Sequence, residues 1–287
     1  VLENGQLDRL YLNQGGDFFK KVNWGEGLFR DEQGQPVTPP YDWGLSALFR
    51  DLDGDGLMDL YVCNDFQSPD RIWMGAGDGT FRLISSNAVR QTSLFSMGVD
   101  VADVNGDGRE DIFVVDMLSR DRDRRMVQVM DEAAFSQFRG IDAKRPQTPR
   151  NTFFLGLGQS QFAEMAHVAG VEASEWSWCP LFSDIDLDGD MDLLITTGHW
   201  RDAQNVDVAR AIESRVKAER LTASEAIDAR RDFPKLETPN VAFLNNGDLT
   251  FTEVGMEWGF DENQVSQGMA QADLDQDGDL DLVVGNH

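Results

Sequence analysis

Residues 51–59 read DLDGDGLMD, with aspartate at the first, third, fifth and ninth positions. The same nine-residue motif returns as DVNGDGRED at 103–111, DIDLDGDMD at 184–192 and DLDQDGDLD at 273–281. Carboxylates crowded in this way repel one another unless a cation lies among them. A pattern that recurs four times indicates an internal repeat, and that repeat decides the fold.

The four motifs have similar surroundings in the sequence. Short apolar segments precede them at RLYLN (9–13), RIWMG (71–75), TFFLG (152–156) and VAFLN (241–245), and the last three end 28 residues before the next motif begins. A Gly-rich turn and a second segment follow each one, which predicts a β-hairpin. A third strand runs into the motif, and a mostly apolar fourth strand such as DLYVC leaves it. Four short antiparallel strands per unit predict an all-β fold, a β-propeller made of four-stranded blades.

The repeat predicts a single propeller domain or fragment over residues 1–287, with two helical insertions. The units cover about 1–65, 66–116, 150–199 and 240–287, and the insertions cover about 117–149 and 200–239. In the first insertion, 121–140 has a helix-like pattern that Gly140 would end. In the second, 205–220 predicts one helix, and 222–231 predicts another, opened by a capping box of Thr222 and Glu225. Four units suit either a closed four-bladed ring or part of a larger one.

The motif has the chemistry of a calcium loop. Side-chain oxygens at positions 1, 3, 5 and 9 and the carbonyl of position 7 can surround one point, while glycine at position 6 permits the turn. Oxygen-only shells of six or more ligands suit Ca²⁺, whereas Mg²⁺ demands a stricter octahedron. An EF-hand would carry a bidentate Glu at position 12, but that position is Val62, Val114, Ile195 and Val284.

We therefore predict about four Ca²⁺ ions, one per repeat; the alternative is that the loops are merely solvated acidic turns. The predicted ligands of the first two loops are Asp51, Asp53, Asp55, Leu57, Asp59, Asp103, Asn105, Asp107, Arg109 and Asp111. Those of the last two are Asp184, Asp186, Asp188, Asp190, Asp192, Asp273, Asp275, Asp277, Asp279 and Asp281. Position 7 would contribute its carbonyl oxygen only.

Composition narrows the function classes. A net charge of −26 makes nucleic acid and anionic membranes poor partners, and no apolar run is long enough to span a bilayer. With 41% hydrophobic residues the chain can bury a core, so it is not a disordered acidic tail. It opens VLENGQLDRL, which we interpret as part of a longer precursor. Cys63 and Cys179 are too few for a disulfide framework and are predicted to be small buried thiols.

These residues resemble a known family. The aspartate motif between strands resembles the FG-GAP or VCBS repeat of integrin α-subunit propellers. Residues 151–198 are similar almost throughout to bacterial VCBS-repeat proteins that often end in an ASPIC/UnbV module, relatives of cartilage acidic protein. VVDMLSRDRDRR and GHWRDAQNVDV resemble the starts of that family's two longer insertions. The departures are Cys179, where Ala is expected, and Val89, which replaces the glycine found at 27, 170 and 259.

The resemblance implies a Ca²⁺-binding propeller on the secreted, periplasmic or cell-surface side, and it implies no particular ligand. Propellers of the family usually have more than four blades, so the four repeats are expected to form part of a larger ring. Other blades or domains of the same precursor are therefore expected partners, together with an unknown protein or carbohydrate ligand.

Three functions follow from these observations. The leading hypothesis is a non-catalytic, calcium-binding propeller for adhesion or for protein or carbohydrate binding. A calcium-dependent polysaccharide-active enzyme and a structural spacer are the alternatives. Catalysis has little support, because His167, His199 and His287 form no motif, and the most enzyme-like cluster, His199-Trp200-Arg201, is more simply an aromatic anchor. The insertions hold 15 of the 25 basic residues and either recognise a ligand or pack over a blade edge or the channel mouth.

Overall fold

The computed structural model describes residues 5–66, 68–128 and 145–287. Its strands are β1 (Tyr11–Asn13), β2 (Phe19–Lys21), β3 (Phe29–Arg30), β4 (Gly44–Arg50), β5 (Asp59–Asn64), β6 (Arg71–Gly75), β7 (Phe81–Leu83), β8 (Thr92–Ser93), β9 (Gly98–Ala102), β10 (Asp111–Val115), β11 (Gln147–Thr148), β12 (Thr152–Gly158), β13 (Gln161–Glu164), β14 (Ser177–Ser183), β15 (Asp192–Thr197), β16 (Thr238–Pro239), β17 (Val241–Asn245), β18 (Phe251–Glu253), β19 (Asn263–Gln264), β20 (Ser266–Ala272) and β21 (Asp281–Asn286). The helices are α1 (Arg122–Val127), α2 (Ala166–Ala169), α3 (Val206–Glu219) and α4 (Ala223–Asp228), with short 3-10 turns at Trp24–Glu26 and Ala229–Asp232.

Three antiparallel blades form the body of the fold. Blade 1 has the order β4-β5-β6-β7, with β3 added in parallel beside β7; blade 2 has the order β9-β10-β12-β13, and blade 3 the order β14-β15-β17-β18. On either side of them, β20 and β21 form a two-stranded sheet, and β1 and β2 form another. The predicted all-β, propeller-like architecture of four-stranded sheets is confirmed.

The blades are offset by half a repeat from the sequence units. Each blade combines the third and fourth strands of one unit with the first hairpin of the next, because the fourth strand pairs directly with the apolar strand that follows it. In blade 1 this pairing sets Leu60 opposite Trp73 and Val62 opposite Arg71. Among the described residues, β1-β2 and β20-β21 remain two-stranded sheets.

The second strand of each blade is buried along its whole length. All residues of β5, β10 and β15 are buried, because they lie between neighbouring strands and have another blade packed on their faces. Between blades 2 and 3, the rings of Phe113 and Phe182 meet edge to face, with centroids 6.1 Å apart. Such large side chains each bury on the order of 150–250 Å². This packing fixes the blades and so positions the loops at their ends.

The insertions match their sequence patterns where the structure describes them. Helices α3 and α4 form as predicted, and the capping box of Thr222 and Glu225 is present. No residue of either helix is fully buried. Helix α1 covers the start of the first predicted helix, and the rest of that prediction, through Gly140, lies outside the described residues.

Both cysteines are free thiols, as the sequence indicated. Cys63 is fully buried, and burial raises its pKa well above the usual value, whereas Cys179 is only partly buried. Among the described residues, no helix is long and apolar enough to cross a membrane.

The residue directly before the third strand of each blade has a repeated structural role. Asn151 and Asn240 each accept a hydrogen bond through Oδ1 from a main-chain N–H at or directly after the end of the second strand, at 2.8 and 3.0 Å. Asp70 occupies this position in blade 1 and accepts from the Asn64 N–H at 2.9 Å, the Tyr61 hydroxyl at 2.7 Å and the Ser96 hydroxyl at 2.9 Å. Burial raises the pKa of Asp70 to about 7, although these hydrogen bonds lower it.

We expect Asp70→Asn to flatten the dependence of stability on pH. The folded pKa is raised above its usual value of 3.8, so the folded state holds a proton more tightly between about pH 4 and pH 7. Stability therefore falls as pH rises through this window, by at most about 4 kcal/mol. The amide keeps the acceptor for Asn64 and removes the buried charge. Urea unfolding at several pH values, at fixed calcium concentration, measures this slope.

The opposite substitution at the equivalent position of blade 3 is the control for this prediction. Asn240→Asp would introduce a buried carboxylate at the equivalent position of blade 3, since Asn240 is only 8% exposed. It is expected to steepen the same slope. An unchanged slope in both variants would show that this position carries no proton-linked stability.

Candidate metal centre

The four aspartate loops lie at equivalent places in the fold. Loop 1 (51–59), loop 2 (103–111), loop 3 (184–192) and loop 4 (273–281) each connect the first strand of a sheet to the second. The glycine at position 6 has positive φ in every loop, from 80° to 100°. At position 4, Leu187 and Gln276 adopt φ of 60° and 66°, in the left-handed region that glycine favours. The loops therefore share one backbone shape even where the sequence makes it strained.

The first aspartate of each loop organises that shape. In loop 1, Asp51 Oδ1 accepts from the N–H groups of Gly54 and Asp55 at 2.9 and 3.1 Å, and Oδ2 accepts from Gly56 at 2.8 Å. Asp103, Asp184 and Asp273 accept from the glycine at position 6 in the same way. These amides partly compensate the negative charge and orient the carboxylates before any ligand binds.

The position-5 carboxylates form a second set of turns. Each accepts a hydrogen bond from the main-chain N–H of position 7, at distances from 2.8 to 3.2 Å. The pairs, acceptor first, are Asp55 and Leu57, Asp107 and Arg109, Asp188 and Asp190, and Asp277 and Asp279. Every position-5 side chain is therefore held beside the turn that carries the predicted carbonyl ligand.

Three loops bring carboxylates together at one point. In each, one oxygen from each of three aspartates lies within 4.8 Å of the others. The groups are Asp51, Asp53 and Asp59 in loop 1; Asp184, Asp186 and Asp188 in loop 3; and Asp273, Asp275 and Asp277 in loop 4. A compact set of hard oxygen donors without nitrogen or sulfur fits a calcium ion, and it fits a thiophilic metal poorly.

Loop 2 is arranged differently. It has Asn105 where the other loops have aspartate, and the amide of Asn105 donates to Asp107 Oδ2 at 3.0 Å. The Arg109 guanidinium also contacts Asp107, and its Nε donates to the Gly156 carbonyl at 2.8 Å. Within the part of the chain that is described, no trio of carboxylates converges in this loop.

The position-9 aspartates have a role that sequence reasoning missed. In the first three loops, Oδ2 accepts from the N–H of position 2, and Oδ1 accepts from a main-chain N–H in the third strand of the blade. Asp111 bonds Val104 at 3.0 Å and Gly156 at 2.8 Å in this way. Burial raises the pKa of Asp59 and of Asp111 to about 6, and that of Asp192 in the same direction. These side chains join each loop to the blade, as well as standing where a ligand was predicted.

Loop 1 also receives a contact from the neighbouring blade. The hydroxyl of Ser160, in the turn between β12 and β13, donates to Asp53 Oδ2 at 2.5 Å. Ser160 and Gln159 both have φ of 54°, which aims the turn at the loop. Nothing in the motif spacing predicts this contact, because the two residues are 107 positions apart in the sequence.

His199 packs on an aromatic ring in the described fold. The ring of His199 stacks on Trp176 with centroids 3.9 Å apart and an interplanar angle of 7°. Its Nδ1 lies 2.6 Å from the Arg201 carbonyl oxygen. His167 is on helix α2, 3.8 Å from Glu172. His199 is thus committed to packing and to its own turn, as the simpler interpretation expected.

Part of the chain matches a known repeat family. Residues 51–114 match the family model described as an FG-GAP-like repeat. A solved structure concerned with specific recognition of non-reducing terminal N-acetylglucosamine by an Agrocybe aegerita lectin is similar at 15% sequence identity, with a TM-score of 0.41. The match covers 96% of this chain and 54% of the lectin chain, so the chain spans about half the length of that protein. No curated protein matches the sequence. Fold and repeat together define an all-β, propeller-like protein that carries an FG-GAP-like repeat.

Proposed function

We propose that the chain is a calcium-binding, non-catalytic propeller that binds a protein or carbohydrate ligand outside the cytoplasm, for adhesion or recognition. The observation that carries the calcium proposal is the convergence of three aspartate oxygens within 4.8 Å in three separate loops. Without a cation, each group would hold like charges together in a chain whose net charge is already −26.

In this proposal calcium is structural. A bound ion neutralises the crowded carboxylates and links position 1 of a loop to position 9, which is hydrogen-bonded to the third strand in blades 1 to 3. Loops 1 to 3 each lead into a strand that is buried along its whole length, so metal affinity and folding are coupled. We also propose the ASPIC/UnbV-type, secreted or cell-surface setting that the sequence resemblance implied.

Titration calorimetry of the metal-free protein tests the calcium assignment. We expect about four Ca²⁺ ions per chain, with Mg²⁺ binding far more weakly. Asp186→Ala removes a carboxylate from loop 3 and is expected to remove one ion from the stoichiometry. Asp207→Ala, on exposed helix α3, is the matched control and should bind the full number. Absence of binding at millimolar Ca²⁺ would contradict the assignment.

The second insertion is the candidate for recognition. Helices α3 and α4 have no fully buried residue, whereas Phe233 and Leu236 beyond them are buried. Replacing 206–228 with a short Gly/Ser linker should therefore leave the unfolding midpoint nearly unchanged. Loss of ligand binding in this variant would support a recognition role, and a large loss of stability would show that the helices are part of the packed fold.

The enzyme alternative has a direct test. A calcium-dependent polysaccharide-active enzyme would release reducing ends from acidic glycans in the presence of Ca²⁺. We expect no such turnover, because the clustered loop carboxylates, such as those of Asp51 and Asp103, accept hydrogen bonds from loop amides and are proposed to bind calcium. Measurable turnover in the presence of Ca²⁺ would overturn the non-catalytic assignment.

A further inference from the structure

We propose that a shallow depression beside Trp200 binds a neutral saccharide. This deepens the proposed ligand-binding function, on which it rests, by naming a site and a ligand class. Trp200 is 56% exposed. All seven tryptophans lie among the described residues, and the other six are buried or half-buried. An exposed indole beside polar groups offers an apolar aromatic face and an N–H donor to a ligand.

The segment that carries Trp200 is held rigidly. On one side, the main chains of His199 and Leu236 form an antiparallel bridge, with N–H to O distances of 2.8 and 3.2 Å. On the other side, the Asp202 N–H donates to the Pro234 carbonyl at 2.8 Å, and the Arg201 guanidinium donates to the Phe233 carbonyl at 2.9 Å. The indole is thus presented on a fixed backbone, which lowers the entropic cost of binding.

The depression has a volume of about 250 Å³ and is lined by polar side chains around the indole. Lys235 and Glu237 form one wall and pair with each other at 2.9 Å, while Asn263 and Gln264 form another. The two walls come from strands that are joined, because Thr238 pairs with Gln264. Asn286 and His287 also line the depression, and the His287 ring centroid lies 6.0 Å from that of Trp200. Ammonium, carboxylate, amide and imidazole groups therefore offer hydrogen-bond donors and acceptors around the indole.

Gly198 explains why these walls meet. It has φ of 106°, and a Cβ atom there would lie 2.3 Å from the Gln264 carbonyl oxygen. Only glycine permits the strand that leads to Trp200 to approach the opposite wall so closely. The close approach places the main chain of Gln264, a lining residue, beside the segment that carries Trp200. The side-chain amide of Gln264 donates to Glu262.

The arrangement fits a sugar better than a peptide or an anion. A pyranose has one face of C–H groups that can lie on an aromatic ring and a rim of hydroxyls that hydrogen-bond to acids, amides and ammonium groups. The volume is below the range of about 300–1,000 Å³ that is typical for drug-sized ligands, and Val265 is the one aliphatic lining residue among those described. A peptide side chain would gain little there. The Lys235–Glu237 pair is neutral overall, and the strongly negative chain repels anions.

Saturation-transfer NMR with a panel of neutral monosaccharides (glucose, galactose, mannose and N-acetylglucosamine) tests the site on the calcium-loaded protein. We expect binding by at least one sugar with a Kd of about 1 mM. Trp200→Ala should weaken it by about tenfold or more, and Trp200→Phe should retain part of it. Met256→Ala, at a residue that is 75% exposed and outside the depression, should leave it unchanged.

Two outcomes would overturn the proposal: no saccharide response from the folded protein, or equal binding by the Trp200→Ala variant. Peptide binding at Trp200 without a saccharide response would also reject it. Thermal unfolding of the same variants with Ca²⁺ and with EDTA separates this test from the calcium proposal. Trp200→Ala should keep the full calcium response, so a missing response in all variants rejects structural calcium and leaves the saccharide result to stand alone.

Discussion

Chelation of calcium is expected to lower the thermal unfolding midpoint of this protein by about 20 °C or more. A ligand that binds only the folded state, at 100 times its Kd, contributes about 2.7 kcal/mol per site. In a domain of this size, each kcal/mol moves the midpoint by roughly 2–4 °C. Four loops of like design, three of which converge three carboxylates, therefore add up to a large shift. Thermal denaturation followed by circular dichroism, in EDTA and in millimolar Ca²⁺, measures it.

Single substitutions measure how much each loop contributes to this shift of the unfolding midpoint. Asp53→Ala, Asp186→Ala and Asp275→Ala each remove one converging carboxylate and should reduce the calcium response in steps. Asp78→Ala is the matched control, since Asp78 is an exposed turn aspartate outside the four loops that accepts hydrogen bonds from Thr80. Mg²⁺ should restore little of the midpoint. Equal midpoints in EDTA and in Ca²⁺ would mean that the loops are solvated acidic turns, which was the alternative left open by the sequence.

The strands of this fold were predictable, but the composition of its blades was not. RIWMG and VAFLN are strands with the bounds that the pattern indicates, Arg71–Gly75 and Val241–Asn245. The repeats in a sequence show the length of one unit, but they do not show which four consecutive strands form one blade. The blade boundaries are set by hydrogen bonding between β5 and β6, which joins strands of two sequence units into one sheet. No local pattern records that pairing.

The candidate metal site likewise has features that could be predicted from the sequence and features that could not. Positions 1, 3 and 5 are close in sequence, so their convergence follows from the loop itself, as loops 3 and 4 show. The contacts that reach beyond the loop were not predictable. Ser160 touches Asp53 from another blade, and Arg109 turns back on Asp107 while bonding Gly156. The exposure of Trp200 likewise depends on which strands meet around it.

The dual role of the position-9 aspartate leads to the second large effect. In metal-free buffer we expect Asp111→Asn to destabilise the protein by about 2–4 kcal/mol. Asp111 is fully buried and accepts from two main-chain N–H groups, those of Val104 and Gly156. An asparagine of the same shape has one acceptor oxygen, so its amide would face a donor and leave one buried N–H unpaired. Each such unpaired group costs about 1–3 kcal/mol.

Loop 4 provides the matched control for this effect. Asp281 has the same position and accepts from the Leu274 N–H at 2.9 Å, and among the described residues its sheet consists of β20 and β21 without a third-strand donor. An asparagine can satisfy that single bond, and Asp281→Asn should therefore cost less than about 1 kcal/mol. Urea unfolding in EDTA compares the two, because the absence of metal removes ligation from the difference. A large excess cost for Asp111→Asn shows that this aspartate binds the loop to its blade whether or not an ion is present. Equal costs would mean that the position matters only as a ligand, and the hydrogen bonds to the third strand would then contribute nothing of their own.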